Sequence, residues 1–302
     1  MKRTIIIITA IMAVSLTANT QQLPLYSQYM MNGFLLNPGI TGSMDYIPIR
    51  ITARQQWTGI ESAPSTQAIS AHGLLVNKHM GVGGYIFNDM FGPISSTGLQ
   101  ASYAYHLTLN KNSKLGLGLS LSAFQFKLDE GNLESIDAGD EALTGAVEST
   151  FVPDANFGAY LYAENYFVGI SGAQLIQYKI KLHEELAGNN QMIRHYYLTG
   201  GYQFKLGEEF DLQPSIMVKG TEKTPLQLDF NLKGFYKKNY WLGVSYRTSD
   251  AIIGIIGLKY DRYYIGYAFD YTFSPLKNYS NGSHEIMLGI NLGGNNEGSS
   301  LL

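Results

Sequence analysis

The feature that most constrains this chain is a period of two. Over residues 114–126, KLGLGLSLSAFQF, Leu115, Leu117, Leu119, Leu121 and Ala123 share one face, while Gly116, Gly118, Ser120 and Ser122 share the other. Successive side chains of an extended strand point to opposite sides, so the pattern specifies a strand with one apolar face and one small, polar face. Residues 226–236 repeat it: Leu226, Leu228, Phe230 and Leu232 oppose Gln227, Asp229, Asn231 and Lys233. In residues 263–273, Tyr263, Ile265, Tyr267, Phe269, Tyr271 and Phe273 oppose Gly266, Ala268, Asp270 and Thr272. A soluble sandwich also alternates, but its polar face is usually charged and looks at water. Here that face is Gly, Ser, Thr and Asn with isolated charges, which suits the wet interior of a transmembrane barrel. The soluble sandwich is the competing architecture.

Composition bears on that choice. Charged residues are 15% of the chain, where soluble domains carry roughly 25%. The N-terminus, MKRTIIIITAIMAVSLTANTQQ, sets Lys2 and Arg3 before an apolar run from Ile5 to Leu16, followed by small residues. That is the layout of a secretory signal peptide, with cleavage between Ala18 and Gln21. The run is shorter than the roughly 20 residues a spanning helix needs, and no later stretch is apolar enough for one. An exported chain low in charge, with 33 Gly and 22 Tyr and no apolar helix, points to an outer-membrane β-barrel. The net charge of −3 comes with no basic stripe, which argues against nucleic acid as a partner. With no Cys, disulfides and a cysteine lipid anchor are excluded.

Alternating runs give about fourteen strands, near 46–57, 64–76, 79–89, 94–107, 114–128, 154–163, 165–178, 192–206, 209–220, 223–236, 239–248, 250–260, 262–274 and 283–292. Odd-numbered connections include the long ones, 129–153, 179–191 and 275–282; even-numbered ones are tight, at Asn77-Lys78, Glu164-Asn165, Lys237-Lys238 and Asp261. Barrels of this kind keep short turns in the periplasm and longer loops outside. The alternation therefore places both termini at the periplasm. The chain divides into a signal peptide (1–20), an N-terminal periplasmic or plug segment (21–45), the barrel (46–292) and a periplasmic tail (293–302).

Little in the sequence suggests catalysis. His183-Glu184-Glu185 has no second His one helical turn on, so the zinc-protease pattern is missing. GVGGYIF, from Gly81, lacks the Lys-Ser/Thr of a phosphate loop and reads as strand glycine. The acidic run from Asp129 to Ala142 misses the EF-hand spacing and reads as a solvated outer loop. No nucleophile–base pair sits in a readable motif, so neither enzyme nor cofactor is expected. The lumen charges say more. Arg50, Thr52, Arg54 and Gln56 share the inward face of the first strand, and barrel closure sets it beside the last strand, with Glu285, Met287, Gly289 and Asn291 inward. A partly buried arginine is costly unpaired, and Glu285 and Asp270 are the nearest candidate partners for Arg50 and Arg54. The other possibility is a hydrated channel in which the arginines stay solvated.

The stretch PLYSQYMMNGFLLNPGITGS, residues 24–43, is uncharged and too broken for a long helix. Its Tyr26, Ser27, Gln28, Tyr29, Met30, Asn32, Asn37 and Pro38 resemble the start of the PorP/SprF family, outer-membrane proteins of the type IX secretion and gliding machinery of Bacteroidota. The resemblance continues in RQQWTGIESAPSTQAISAHG from Arg54. It goes on in GVGGYIFNDMFGPISSTGLQASYAYHL, through Gly81, Gly83, Asp89, Gly92 and Pro93, and in NGSHEIMLGI, through Gly282, Ser283, His284 and Glu285. It implies a non-enzymatic outer-membrane barrel. The family's partners are other secretion components in the periplasm and outer membrane, and for some members a secreted surface adhesin; membrane lipid surrounds the barrel. One role in the family links the membrane to periplasmic machinery, the other supports export or attachment of an adhesin. A passive channel or small-molecule uptake barrel is the alternative function. The uncharged segment is expected at the periplasmic mouth or inside the lumen, with its Asn and Gln on inward polar groups.

Overall fold

The computed structural model describes residues 23, 26–76, 79–132, 145–180 and 191–293. The expected signal peptide, the Asn77-Lys78 turn, His183-Glu184-Glu185, most of the acidic run and the tail beyond residue 293 lie outside the described residues. The strands are β1 (Ile47–Gln55), β2 (Ser65–Leu74), β3 (Met80–Phe91), β4 (Ile94–Thr108), β5 (Ser113–Asp129), β6 (Val147–Ala163), β7 (Tyr166–Ala173) and β8 (His195–Tyr202). They continue as β9 (Phe204–Leu206), β10 (Phe210–Thr221), β11 (Gln227–Tyr236), β12 (Tyr240–Arg247), β13 (Ala251–Tyr260), β14 (Tyr263–Thr272) and β15 (Ser283–Leu292).

Apart from β8 and β9, which both pair with β10, each strand pairs antiparallel with its sequence neighbours, and the sheet closes where β1 meets β15 with Arg54 opposite Glu285. β8 and β9 are one barrel position. Gly201 stands opposite Ser215 and Phe204 opposite Leu212, so the register runs through the break at Gln203 unchanged. Pro214, facing that break, has no N–H to give the ladder. The ring is therefore a closed fourteen-stranded antiparallel barrel with one interrupted stave, as the alternation predicts.

The outward face is apolar and bare: Leu121 is 70% exposed, Leu242 67% and Leu119 61%. No soluble sandwich would leave such a belt in water, and a barrel in hydrocarbon requires it. At one end the connections are tight. Lys237 and Lys238 both take left-handed backbone (φ 51° and 55°), the pair of positive angles that lets the chain reverse tightly, and Asn239 completes a three-residue connection between Tyr236 and Tyr240. The opposite end carries the longer connections. We call these the tight-turn and long-loop ends.

Two expectations are corrected. First, β6 starts at Val147 rather than at 154, and the 129–153 loop shrinks accordingly. Pro153 lies on a stretch of β6 that pairs only with β5, because β7 joins from Phe157 on. A proline on an edge costs no ladder bond. Second, the inward face is not polar throughout. Met217, Ile253, Ile255 and Met287 are buried inside, with Trp241 beside them. The N-terminal segment, expected at the mouth or inside the lumen, takes the lumen and does not stay at the tight-turn end. It enters β1 there, but the residues before it run up the lumen, and Leu23 N–H donates to His195 Nε2 at 3.4 Å, at the long-loop end of β8. The barrel's core is this segment and the side chains around it.

Candidate functional site: the occupied lumen

Residues 26–44 thread the barrel, and each level of the lumen holds them with a different chemistry. Near the long-loop end the grip is ionic. Ser27 N–H donates to Glu285 Oε2 at 2.6 Å and Gln28 N–H to Oε1 at 2.9 Å, so one carboxylate holds two successive amides. Gln28 Nε2 also donates to the Glu285 carbonyl at 3.2 Å. Ser27 Oγ donates to Asp270 at 2.8 Å and accepts from Arg54 Nη1 at 2.5 Å. Arg54 spans both acids, 2.7 Å from Asp270 and 3.4 Å from Glu285. All three side chains are almost wholly buried. A buried carboxylate needs such partners, since desolvation is otherwise unrecovered.

A second ion pair extends this cluster. Arg247 Nε lies 3.1 Å from Asp229, and its Nη1 lies 3.4 Å from Asp250 and 3.9 Å from Asp270. Asp270 thus stands between two arginines. Arg50, for which a carboxylate was expected, has none: no ion pair among the described residues includes it. It donates to Asn291 Oδ1 at 2.8 Å and to the Ile49 and Ile290 carbonyls, and lies over the Tyr264 ring at 4.6 Å. Four residues along β1 from Arg54, it sits below the acids, where carbonyls and an aromatic face substitute for a counter-charge.

In the middle the grip is dry. Tyr29 exchanges hydrogen bonds with Asn231 at 2.8 and 3.1 Å. Met30 and Met31 pack into the Met217, Trp241, Ile253, Ile255 and Met287 cluster. Lys233 Nζ donates to the Met30 carbonyl at 3.0 Å. Asn32 Nδ2 donates to Ser70 Oγ at 3.0 Å. Phe34, 1% exposed, fills the space beside His72 and Tyr85. Tyr26 is buried above it.

Toward the tight-turn end the grip is steric. A short 3₁₀ turn, Pro38–Ile40, is capped by Asn37, whose side chain accepts from Gly39 N–H. Asn37 Nδ2 donates to the Ala159 and Ile170 carbonyls at 3.1 and 3.3 Å. Pro38 follows with its carbonyl against Gly118, and Thr41 sets its carbonyl against Gly81, so a Cβ at either glycine would strike backbone. His106 Nε2 donates to the Thr41 carbonyl at 2.8 Å, which fixes its tautomer, and Nδ1 accepts from the Tyr162 hydroxyl at 3.0 Å.

A family model described as type IX secretion system membrane protein PorP/SprF matches residues 18–290. The chain belongs to the PorP/SprF family. It is thus a membrane protein of type IX secretion, and the barrel fold supports an outer-membrane location. No curated protein sequence matches it significantly. Among solved structures, it is similar to a FadL homologue of Pseudomonas aeruginosa, with a TM-score of 0.50 at 10% identity over 91% of this chain and 95% of that one. It is also similar to the toluene transporter TbuX of Ralstonia pickettii, with a TM-score of 0.50 at 9% identity over 92% and 96%. At such identities the likeness concerns the barrel alone. The residues from Tyr26 to Pro38 that carry the PorP/SprF resemblance thus fall on the chain that fills the lumen. Arg247 and Asp229 complete the ionic cluster, and Lys233 the grip on Met30, beyond the residues singled out as candidates in the sequence. Asp229 faces Arg247 because Tyr236 pairs with Tyr240 across a three-residue connection; a two-residue turn at Lys237-Lys238 would have set Asp229 opposite Tyr246 instead.

Proposed function

We propose that this PorP/SprF protein is a closed, non-enzymatic platform in the outer membrane. In this reading it serves type IX secretion by holding other components, with residues 26–42 as its plug. The observation that carries the reading is the occupied lumen, gripped from Ser27 at one end to Gly42 at the other. A conduit for small molecules needs an open path, whereas both family roles, anchoring periplasmic machinery and supporting export and attachment of an adhesin, need a rigid exposed body. Export would depend on the N-terminal signal peptide, and cleavage between Ala18 and Gln21 would leave a new N-terminus a few residues before Leu23.

Deleting residues 25–37 tests the reading. The strands close their own hydrogen bonds, so a heat-modifiable barrel should still reach the outer membrane. The intact protein should show no steady conductance in a planar bilayer, and the deletion should open one. Secretion or gliding should fail, and co-purification of periplasmic components in mild detergent should weaken. Steady conductance by the intact protein would favour the channel reading. Full secretion and unchanged partners after the deletion would reduce the segment to a spacer.

A further inference from the structure

The lipid-facing wall has a dent among the described residues. On the outward face near the tight-turn end the side chains are large: Tyr240 is 55% exposed, Leu242 67% and Ile256 57%. Gly234, on β11, interrupts them. A side chain built there would meet nothing nearer than the Leu242 carbonyl at 4.0 Å. Over it opens a groove of about 640 Å³ walled by Tyr236, Tyr240, Leu242, Ile256 and Tyr267. That volume falls within the roughly 300–1,000 Å³ of sites that hold one small ligand.

The groove is continuous with the surface that faces hydrocarbon, so the medium there is acyl chain, not water. An unfilled cleft would forfeit dispersion contacts along its whole lining. Just beyond the groove, the β11–β12 turn presents two cations at the membrane boundary. Lys237 Nζ is 5.2 Å from the Tyr236 ring and 3.1 Å from Glu209, and Lys238 is exposed beside it. Tyrosines at this level mark the headgroup boundary. Tight turns face the periplasm in such barrels, so the adjoining leaflet supplies phospholipid rather than lipopolysaccharide. We propose that the groove over Gly234 binds one acyl chain of a phospholipid from that leaflet, with its phosphate against the Lys237-Lys238 turn. The inference rests on the outer-membrane location and is independent of the plug.

Two glycines provide the test. Gly234→Trp fills the groove. Gly254→Trp adds the same ring on the outward face of β13, where a side chain has open space, and leaves the groove alone. Each full-length protein is extracted from its native membrane in mild detergent, washed free of loose lipid and weighed by native mass spectrometry, with heat-modifiability as the check of folding. Wild type and Gly254→Trp should each retain one phospholipid, and Gly234→Trp should lose it. Gly234→Leu, a smaller filler, replaces the tryptophan if that variant does not fold. Lys238→Ala should lower the retained fraction. Equal retention by the Gly234 variant, or none by wild type, would overturn the site. Retention of lipid A in place of phospholipid would overturn the leaflet assignment, and unchanged retention by Lys238→Ala the headgroup contact.

Discussion

The two ends of the threaded segment are held by different physics. At the long-loop end, Ser27 and Gln28 rest on Glu285, Asp270 and Arg54, a grip made of buried charge. At the tight-turn end, Pro38 and Thr41 lie against the bare backbone of Gly118 and Gly81, a grip made of missing side chains. The ionic grip depends on every charge having its partner and tolerates small changes of shape. The steric grip is indifferent to charge and fails when a single carbon is added. A segment meant to be released would be released from the first end, because there its hold can be altered without rebuilding the wall.

The largest effect is expected where the comparison is most lopsided. Arg54→Ala leaves Asp270 and Glu285 buried without it, and breaking such a cluster should destabilise the barrel by about 3–5 kcal/mol in a urea refolding titration. Adding Glu285→Ala should cost less than the sum of the two single changes, since the groups are in contact. Strict additivity would show that they do not interact. Next comes Gly118→Val, which drives a side chain into the Pro38 carbonyl and should cost about 2–3 kcal/mol, whereas Gly254→Val, facing open space, should cost almost nothing. Equal costs at the two glycines would remove the steric half of the comparison. Asn37→Ala loses the cap and two carbonyl contacts, and should cost about 2 kcal/mol, with protease cleavage in the segment as a second readout. The smallest change is Ser27→Ala, about 1 kcal/mol, because Arg54 and Asp270 still meet directly. A loss at Ser27 as large as that at Arg54 would mean that the hydroxyl, and not the ion pair, organises this end.

Much of this was legible in the chain. The alternation of Leu115 to Ala123 against Gly116 to Ser122 specifies both the strand and the side that meets lipid, because period two is a property of the extended backbone itself. Closure of first on last strand then sets Arg54 beside Glu285. Where the reading failed, context overrode a local signal. Pro153 is a breaker only where a neighbour needs its N–H, and β6 has no second neighbour there. Ile253 and Ile255 face inward because Met30 and Met31 cover them, and an alternation test cannot know that a lumen position is dry.

The sequence alone determined the membrane barrel, its number of strand positions, the inward side of those strands that carry one polar face, and the PorP/SprF membership. These follow from local periodicity, turn chemistry and motif order, all written in consecutive residues. The tertiary structure decided the course of residues 26–44. Which glycine meets which carbonyl, why Arg50 rests on Tyr264 while Arg54 takes both acids, and that Asp270 stands between two arginines are also its decisions. Those contacts join residues as much as 258 positions apart, across strands that become neighbours of the segment only when the ring has closed around it.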